Sequence, residues 1–105
     1  MNLADIPSVF QSKVRLAVIA SLLTGPQTFK SLKTVTKTTD GNLGRQLEIL
    51  EQKQIISVQK NIVGRRVNST YSLTPHGKSL FSEYIQLLQG FLDGSMDKES
   101  NVMGA

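Results

Sequence analysis

The 105-residue sequence is 39% hydrophobic with a formal net charge of +4, which suits one small domain around one modest core and leaves no room for a second. With no cysteine and one histidine, it excludes disulfides, thiolate metal centres and histidine clusters, and no cofactor is expected. No stretch approaches the roughly 18 apolar residues of a membrane span and no basic-then-apolar leader opens the chain, so a cytoplasmic protein without a membrane role is expected.

The opening residues, Met1 to Val9, place Leu3, Ile6 and Val9 around Pro7, a segment that reads as a packing arm. Phe10 to Leu23 is apolar around most of a helical circumference, as expected of a helix buried on several sides or shared with a partner subunit. Thr24-Gly25-Pro26 ends it, with Gly25 as the cap and Pro26 preventing continuation. Thr28 then caps a short helix, FKSLKTVT, in which Phe29, Leu32 and Val35 are expected to point inward and Lys30, Lys33 and Lys37 outward.

A turn through Lys37 and Thr38 leads into Thr38 to Lys53, TTDGNLGRQLEILEQK. Leu43, Leu47 and Leu50 fall at i, i+4 and i+7, one stripe of a helix. At 3.6 residues per turn, Gly41, Arg45, Glu48 and Gln52 lie nearly opposite, with Asn42 and Ile49 on the flank. Thr39 is the expected N-cap and Asp40 suits the positive end of the helix dipole. Two helices joined by a tight turn, the second small and polar on its outer face, fit a helix-turn-helix that meets base edges in a major groove. Most helical hairpins bind no DNA, so the pattern alone does not decide.

After Lys53 the period changes to two. Ile56 and Val58 alternate with polar residues, as do Tyr71 and Leu73, and two strands joined across Asn61 to Asn68 are expected, with Gly64 turning the chain and Arg65 and Arg66 displayed at the tip. Thr74 and Pro75 open a last helix as capping residue and first helical residue. It carries two apolar rows, Leu80, Tyr84, Leu87, Phe91 and Phe81, Ile85, Leu88, Leu92. One row can pack on its own domain and the other needs a partner, which points to a dimer, against the plainer reading of one wide core stripe. The remainder, 93–105, is expected to be a disordered acidic tail.

Charge follows this division. From Thr28 to Arg66 eight basic residues (Lys30, Lys33, Lys37, Arg45, Lys53, Lys60, Arg65, Arg66) stand against three acids (Asp40, Glu48, Glu51), while Glu83, Asp93, Asp97 and Glu99 outnumber Lys98 beyond. A basic middle fits a phosphate-binding surface distinct from a second interface, although charge runs are often only solvated faces.

The element order, with Thr39-Asp40-Gly41-Asn42-Leu43, Leu47, Leu50 and Glu51, Gly64-Arg65-Arg66 and Tyr71-Ser72-Leu73-Thr74-Pro75-His76-Gly77-Lys78, resembles the small single-domain winged-helix transcriptional regulators of the MarR and ArsR type over about Phe10 to Leu92. The resemblance implies a mainly α fold with a small β-hairpin (α+β), a winged helix-turn-helix over 1–92 with a long C-terminal dimerisation helix. It further implies helix 39–53 in the major groove, hairpin 55–73 as the wing and dimerisation through flanking helices. Gln54 departs from the pattern, since such proteins commonly carry glycine there, and an exit unlike the usual left-handed cap is open.

The expected function is therefore a homodimeric, sequence-specific binder of double-stranded DNA, a repressor and not an enzyme. Lys30, Lys33 and Lys37 are expected to neutralise phosphates; Thr38, Thr39, Asn42, Arg45 and Gln46 to lie at the bases, with Arg45 suited to guanine and Asn42 or Gln46 to adenine; and Arg65 and Arg66 to hold the flanking duplex. Phe81, Tyr84, Ile85, Leu88, Phe91 and Leu92 are the expected dimer interface. The alternative is a winged-helix protein-interaction module. Room for a small-molecule effector between dimer helices fits the pattern, but no residue signature identifies one. His76 has no nucleophile or orienting partner in the sequence and reads as a surface residue.

Overall fold

Ser12 divides the long apolar run that the sequence offers as one helix. Its extended backbone separates a 3-10 turn, Ser8–Gln11, from helix α1, Lys13–Leu22, and its side chain accepts from the Arg15 backbone N–H at 3.3 Å as the N-cap of α1. In this computed structural model residues 7–104 are described, with side chains described through residue 93. The Met1 to Val9 arm is therefore seen only from Pro7, and its Val9 is buried together with Phe10. The element order continues through β1 (Gln27–Thr28), α2 (Phe29–Thr36), α3 (Asp40–Gln52), β2 (Ile56–Val63), β3 (Arg66–Leu73) and α4 (Pro75–Gly104). Of the disordered acidic tail expected over 93–105, Asp93 is exposed and the side chains of 94–105 lie outside those described.

The core is drawn from α1, α2, α3 and the β2–β3 hairpin, together with Val9 and Phe10. Val18, Ile19 and Leu22 of α1, Leu32 of α2, Leu43, Leu47 and Leu50 of α3, and Ile55, Ile56, Tyr71 and Leu73 of the sheet and its approach form one buried cluster. Each fully buried aliphatic chain contributes roughly 1.5–3 kcal/mol of transfer free energy. Helix α1 is central, with Val14 and Leu16 also packed on this cluster. Val35 does not point inward as its spacing suggests: it is 51% exposed. Three-residue steps lag the helical turn by about 60° each, so a stripe centred on Leu32 continues to the half-buried Thr36 and leaves Val35 outside.

The hairpin is tighter than its composition indicates. Strands β2 and β3 pair from Ile56↔Leu73 to Val63↔Arg66, including Asn61↔Asn68, so only Gly64 and Arg65 turn the chain. Gly64 has φ 63° while Arg65 is not left-handed, which fits the hairpin turn that requires glycine at its first central position. A third strand, absent from the sequence reading, lies on the far side: β1 pairs antiparallel with β3 through Gln27↔Tyr71 and Thr28↔Thr70, giving the order β1-β3-β2.

Helix α3 ends in a left-handed cap despite lacking glycine. Gln54 has φ 59°; its N–H bonds the Glu51 carbonyl at 2.9 Å, and the Ile55 N–H bonds the Leu50 carbonyl at 2.9 Å. These are the two bonds of the Schellman motif, with the buried pair Leu50 and Ile55 as its apolar contact. Thr74 ties the start of α4 to the same joint: its N–H reaches the Ile55 carbonyl at 3.0 Å, its hydroxyl the Gln54 carbonyl at 2.6 Å, and its oxygen accepts from the Gly77 N–H at 2.9 Å.

The first turns of α4 pack on their own chain and the rest runs on. Leu80, Phe81 and Tyr84 lie against the core, and Phe10 stacks on Tyr84 with ring centroids 4.6 Å apart and meets Phe81 edge-on at 6.1 Å. Farther along, Ile85 and Leu88 are half-buried, while Phe91 and Leu92 are 48% and 58% exposed.

Candidate nucleic-acid interface

Helix α3 is built to present one side. Thr39 caps it, accepting from the Asn42 N–H at 3.1 Å, and Asp40 stands in its first turn. With Leu43, Leu47 and Leu50 sealed at 0–1% exposure, the opposite residues Gly41, Arg45, Glu48 and Gln52 are all exposed, as is Asn42. The expected division of the helix into an apolar and a polar face is thus observed.

The polar residues expected at the bases are not independent. Along one ridge, the Asn42 amide nitrogen donates to the Thr38 hydroxyl at 2.8 Å, and the Gln46 amide nitrogen donates to the Asn42 carbonyl oxygen at 3.2 Å. The Gln46 carbonyl oxygen in turn accepts from the Arg15 guanidinium at 2.7 Å. Arg15 also donates to the main-chain carbonyls of Val9 at 3.0 Å and Ser8 at 3.3 Å. This residue escaped the sequence reading. An arginine inside an otherwise apolar helical run was the available signal, because such a side chain must find acceptors when partly buried.

The lysines of α2 differ in their surroundings. Lys30 and Lys37 are exposed, Lys37 in the left-handed conformation that caps α2. Lys33 forms an ion pair with Asp40 at 2.5 Å, bridging α2 to the start of α3. Both partners are well exposed, so the pair is worth at most about 1 kcal/mol and can yield to a phosphate. Arg65 and Arg66 are exposed at the hairpin tip. Beside them stand the exposed apolar residues Ile62, Val63 and Val67.

No group of three or more metal-ligating side chains occurs among the described residues, and no described helix is long and apolar enough to cross a membrane. His76 is exposed at the start of α4. The site offers hydrogen-bond donors, acceptors and positive charge on an exposed surface.

Known proteins share this arrangement. Residues 14–92 match the family described as the winged helix DNA-binding domain. An uncharacterised protein of Methanocaldococcus jannaschii is 34% identical over 84 residues, covering 77% of this chain and 90% of that one. Among solved structures, diamide-treated YodB of Bacillus subtilis is 26% identical with a TM-score of 0.71, covering 83% of this chain and 85% of its own. A transcriptional regulator homologue from Pyrococcus horikoshii shares the fold at 23% identity and a TM-score of 0.74, over 83% and 87% of the two chains. With a hairpin wing and a polar outer face on α3, matched along 14–92, the chain belongs to the winged helix DNA-binding domain family.

Proposed function

We propose that this protein is a homodimeric, sequence-specific regulator of transcription, acting as a repressor, with α3 in the major groove and the β2–β3 hairpin as the wing. The observation that carries the reading is the face of α3 opposite Leu43, Leu47 and Leu50: small at Gly41, hydrogen-bonding at Asn42, cationic at Arg45, and exposed throughout. A duplex major groove accepts a helix of this width, and arginine there can fork to guanine O6 and N7. Lys30, Lys33 and Lys37 supply phosphate contacts, Thr38 and Thr39 the approach to the helix start, Asn42 and Gln46 amides for adenine, and Arg65 and Arg66 the contacts to the flanking duplex. Fold relatives described as transcriptional regulators support the regulatory role. A repressor suits a small chain, since occupying an operator suffices to block access to it.

The dimer rests on α4. Ile85 and Leu88 are only half-buried, and Phe91 and Leu92 are exposed beyond the domain core, an apolar run that a second copy would cover. Phe81 and Tyr84 are partly occupied by Phe10 of the same chain, so their share in the interface is the smaller one.

Selection from a randomised duplex library, followed by a binding profile over all single-base variants, tests the reading. Arg45→Ala should leave stability within about 0.5 kcal/mol and lower discrimination at one position per half-site by roughly 1–3 kcal/mol, with the two positions about one helical turn or a multiple apart. Uniform weakening would make Arg45 a phosphate contact. Sedimentation of the wild-type chain as a monomer at micromolar concentration would refute the dimer, and Leu88→Glu should disrupt it.

A further inference from the structure

Arg15 reaches α3 from behind the reading face. Its guanidinium is held from two sides, by the main-chain carbonyls of Ser8 and Val9 and by the carbonyl oxygen of Gln46 at 2.7 Å. Guanidinium groups only donate hydrogen bonds. The Gln46 atom that faces Arg15 must therefore be oxygen, which turns its amide N–H groups toward Asn42. Asn42 must then present its oxygen to Gln46 and its N–H groups to the Thr38 hydroxyl, as the 3.2 and 2.8 Å bonds record. One donor-only side chain on α1 thus sets the direction of both amides along the α3 ridge. Without it, either amide could rotate by half a turn and offer the opposite pattern of donor and acceptor.

We infer that Arg15 is a positioning residue for base recognition: by fixing the polarity of the Gln46, Asn42 and Thr38 row, it decides which base edges that row accepts without touching DNA itself. This rests on the proposed role of α3 in the major groove. In the fixed arrangement Asn42 keeps one N–H and one lone pair uncommitted, the complement of the adenine N7 and N6 edge. Gln46 likewise keeps one N–H and one oxygen lone pair, but that oxygen is already directed at Arg15, so the row favours acceptor-bearing edges at the neighbouring base. A frozen amide also enters the complex with its rotamer already chosen, which removes part of the ordering cost of binding.

The test is the single-base binding profile of the full chain on the duplex selected from a randomised library, for wild type and variants. Asn42→Ala identifies the base pair read by the row. Arg15→Met, which keeps the aliphatic stem and removes every donor, should flatten discrimination at that same base pair by about fivefold to a hundredfold, with the salt dependence of binding unchanged because no phosphate contact is lost. Arg15→Lys, also donor-only, should restore part of it. Gln46→Glu gives an independent check: the carboxylate keeps the pair with Arg15 and the fold, yet offers no N–H to orient Asn42, and discrimination at the Asn42 base pair should fall likewise. An Asn42-dependent profile that neither Arg15→Met nor Gln46→Glu alters, whatever happens to melting temperature, overturns the inference alone. Uniformly weaker binding with a shallower salt slope in Arg15→Met overturns it in favour of a direct phosphate contact. A flat wild-type profile overturns base reading by α3 and this inference with it.

Discussion

A Cβ atom placed on Gly77 would lie 2.1 Å from the carbonyl oxygen of Ile55. The first turn of α4 rests directly on the main chain where α3 passes into β2, and that carbonyl is already held by the Thr74 N–H. Backbone cannot give way as a flexible side chain can. Gly77→Ala should therefore cost about 1–3 kcal/mol, the usual range for overpacking, despite the better helix propensity of alanine. Chemical denaturation of the variant beside wild type measures it, and a loss below about 0.5 kcal/mol would mean that the helix shifts freely.

Gln54 occupies the left-handed region at φ 59° with its side chain exposed. That conformation costs a non-glycine residue roughly 1–2 kcal/mol, while glycine loses about 0.4–1 kcal/mol more entropy on folding. Gln54→Gly should thus stabilise the protein by about 0.5–1 kcal/mol, read as a higher denaturation midpoint with an unchanged slope.

The Lys33–Asp40 pair sets two effects against each other. Asp40→Asn removes a favourable charge from the first turn of α3, so stability should fall by about 0.3–1 kcal/mol. It also frees Lys33 and takes a negative charge from the proposed DNA face. Affinity for all duplex sequences should rise, and the salt dependence steepen by up to about one unit if Lys33 gains a phosphate. Titrations at several salt concentrations distinguish this from a change in sequence preference.

Burial raises the Tyr71 hydroxyl above its ordinary pKa of 10.0; a hydrogen bond with Ser69 pulls it down and the Glu51 charge pushes it up. Above the unfolded value the unfolded chain has released this proton while the folded chain retains it. The unfolded state then binds fewer protons, so stability falls as pH rises. The contribution is intact below about pH 10 and is lost as pH climbs through the raised folded value. Tyr71→Phe should show a shallower alkaline decline than wild type in denaturation midpoints measured from pH 8 upward.

How much the sequence reveals depends on whether a residue's environment repeats. Leu43, Leu47 and Leu50 announce α3 because one buried face imposes a period, and Thr39 marks its start through local capping chemistry. The inner ends of the hairpin strands alternate for the same reason, whereas Asn61 to Asn68 are exposed throughout, with Asn61 to Val63 paired to Arg66 to Asn68 as strand around the Gly64-Arg65 turn, and so show no buried period. Two residues, Gln27 and Thr28, are too few to show any period, so β1 is visible only through its partners Tyr71 and Thr70. Ser12 acts as a cap inside an apolar run and is hard to distinguish from a tolerated polar residue. Arg15 depends on contacts 31 residues away at Gln46, which no local pattern encodes.

The joint at Gln54, Ile55 and Thr74 gathers the exit of α3, the entry of β2 and the start of α4 into one hydrogen-bonded knot. Movement of α3 relative to the base of the hairpin would break several of these bonds. The joint thereby sets the span between a contact made by α3 and one made by the hairpin at its base, like the hinge of a caliper. A duplex touching both must bring its own groove width to that span, and sequences that bend or narrow cheaply gain an advantage at positions no side chain reaches.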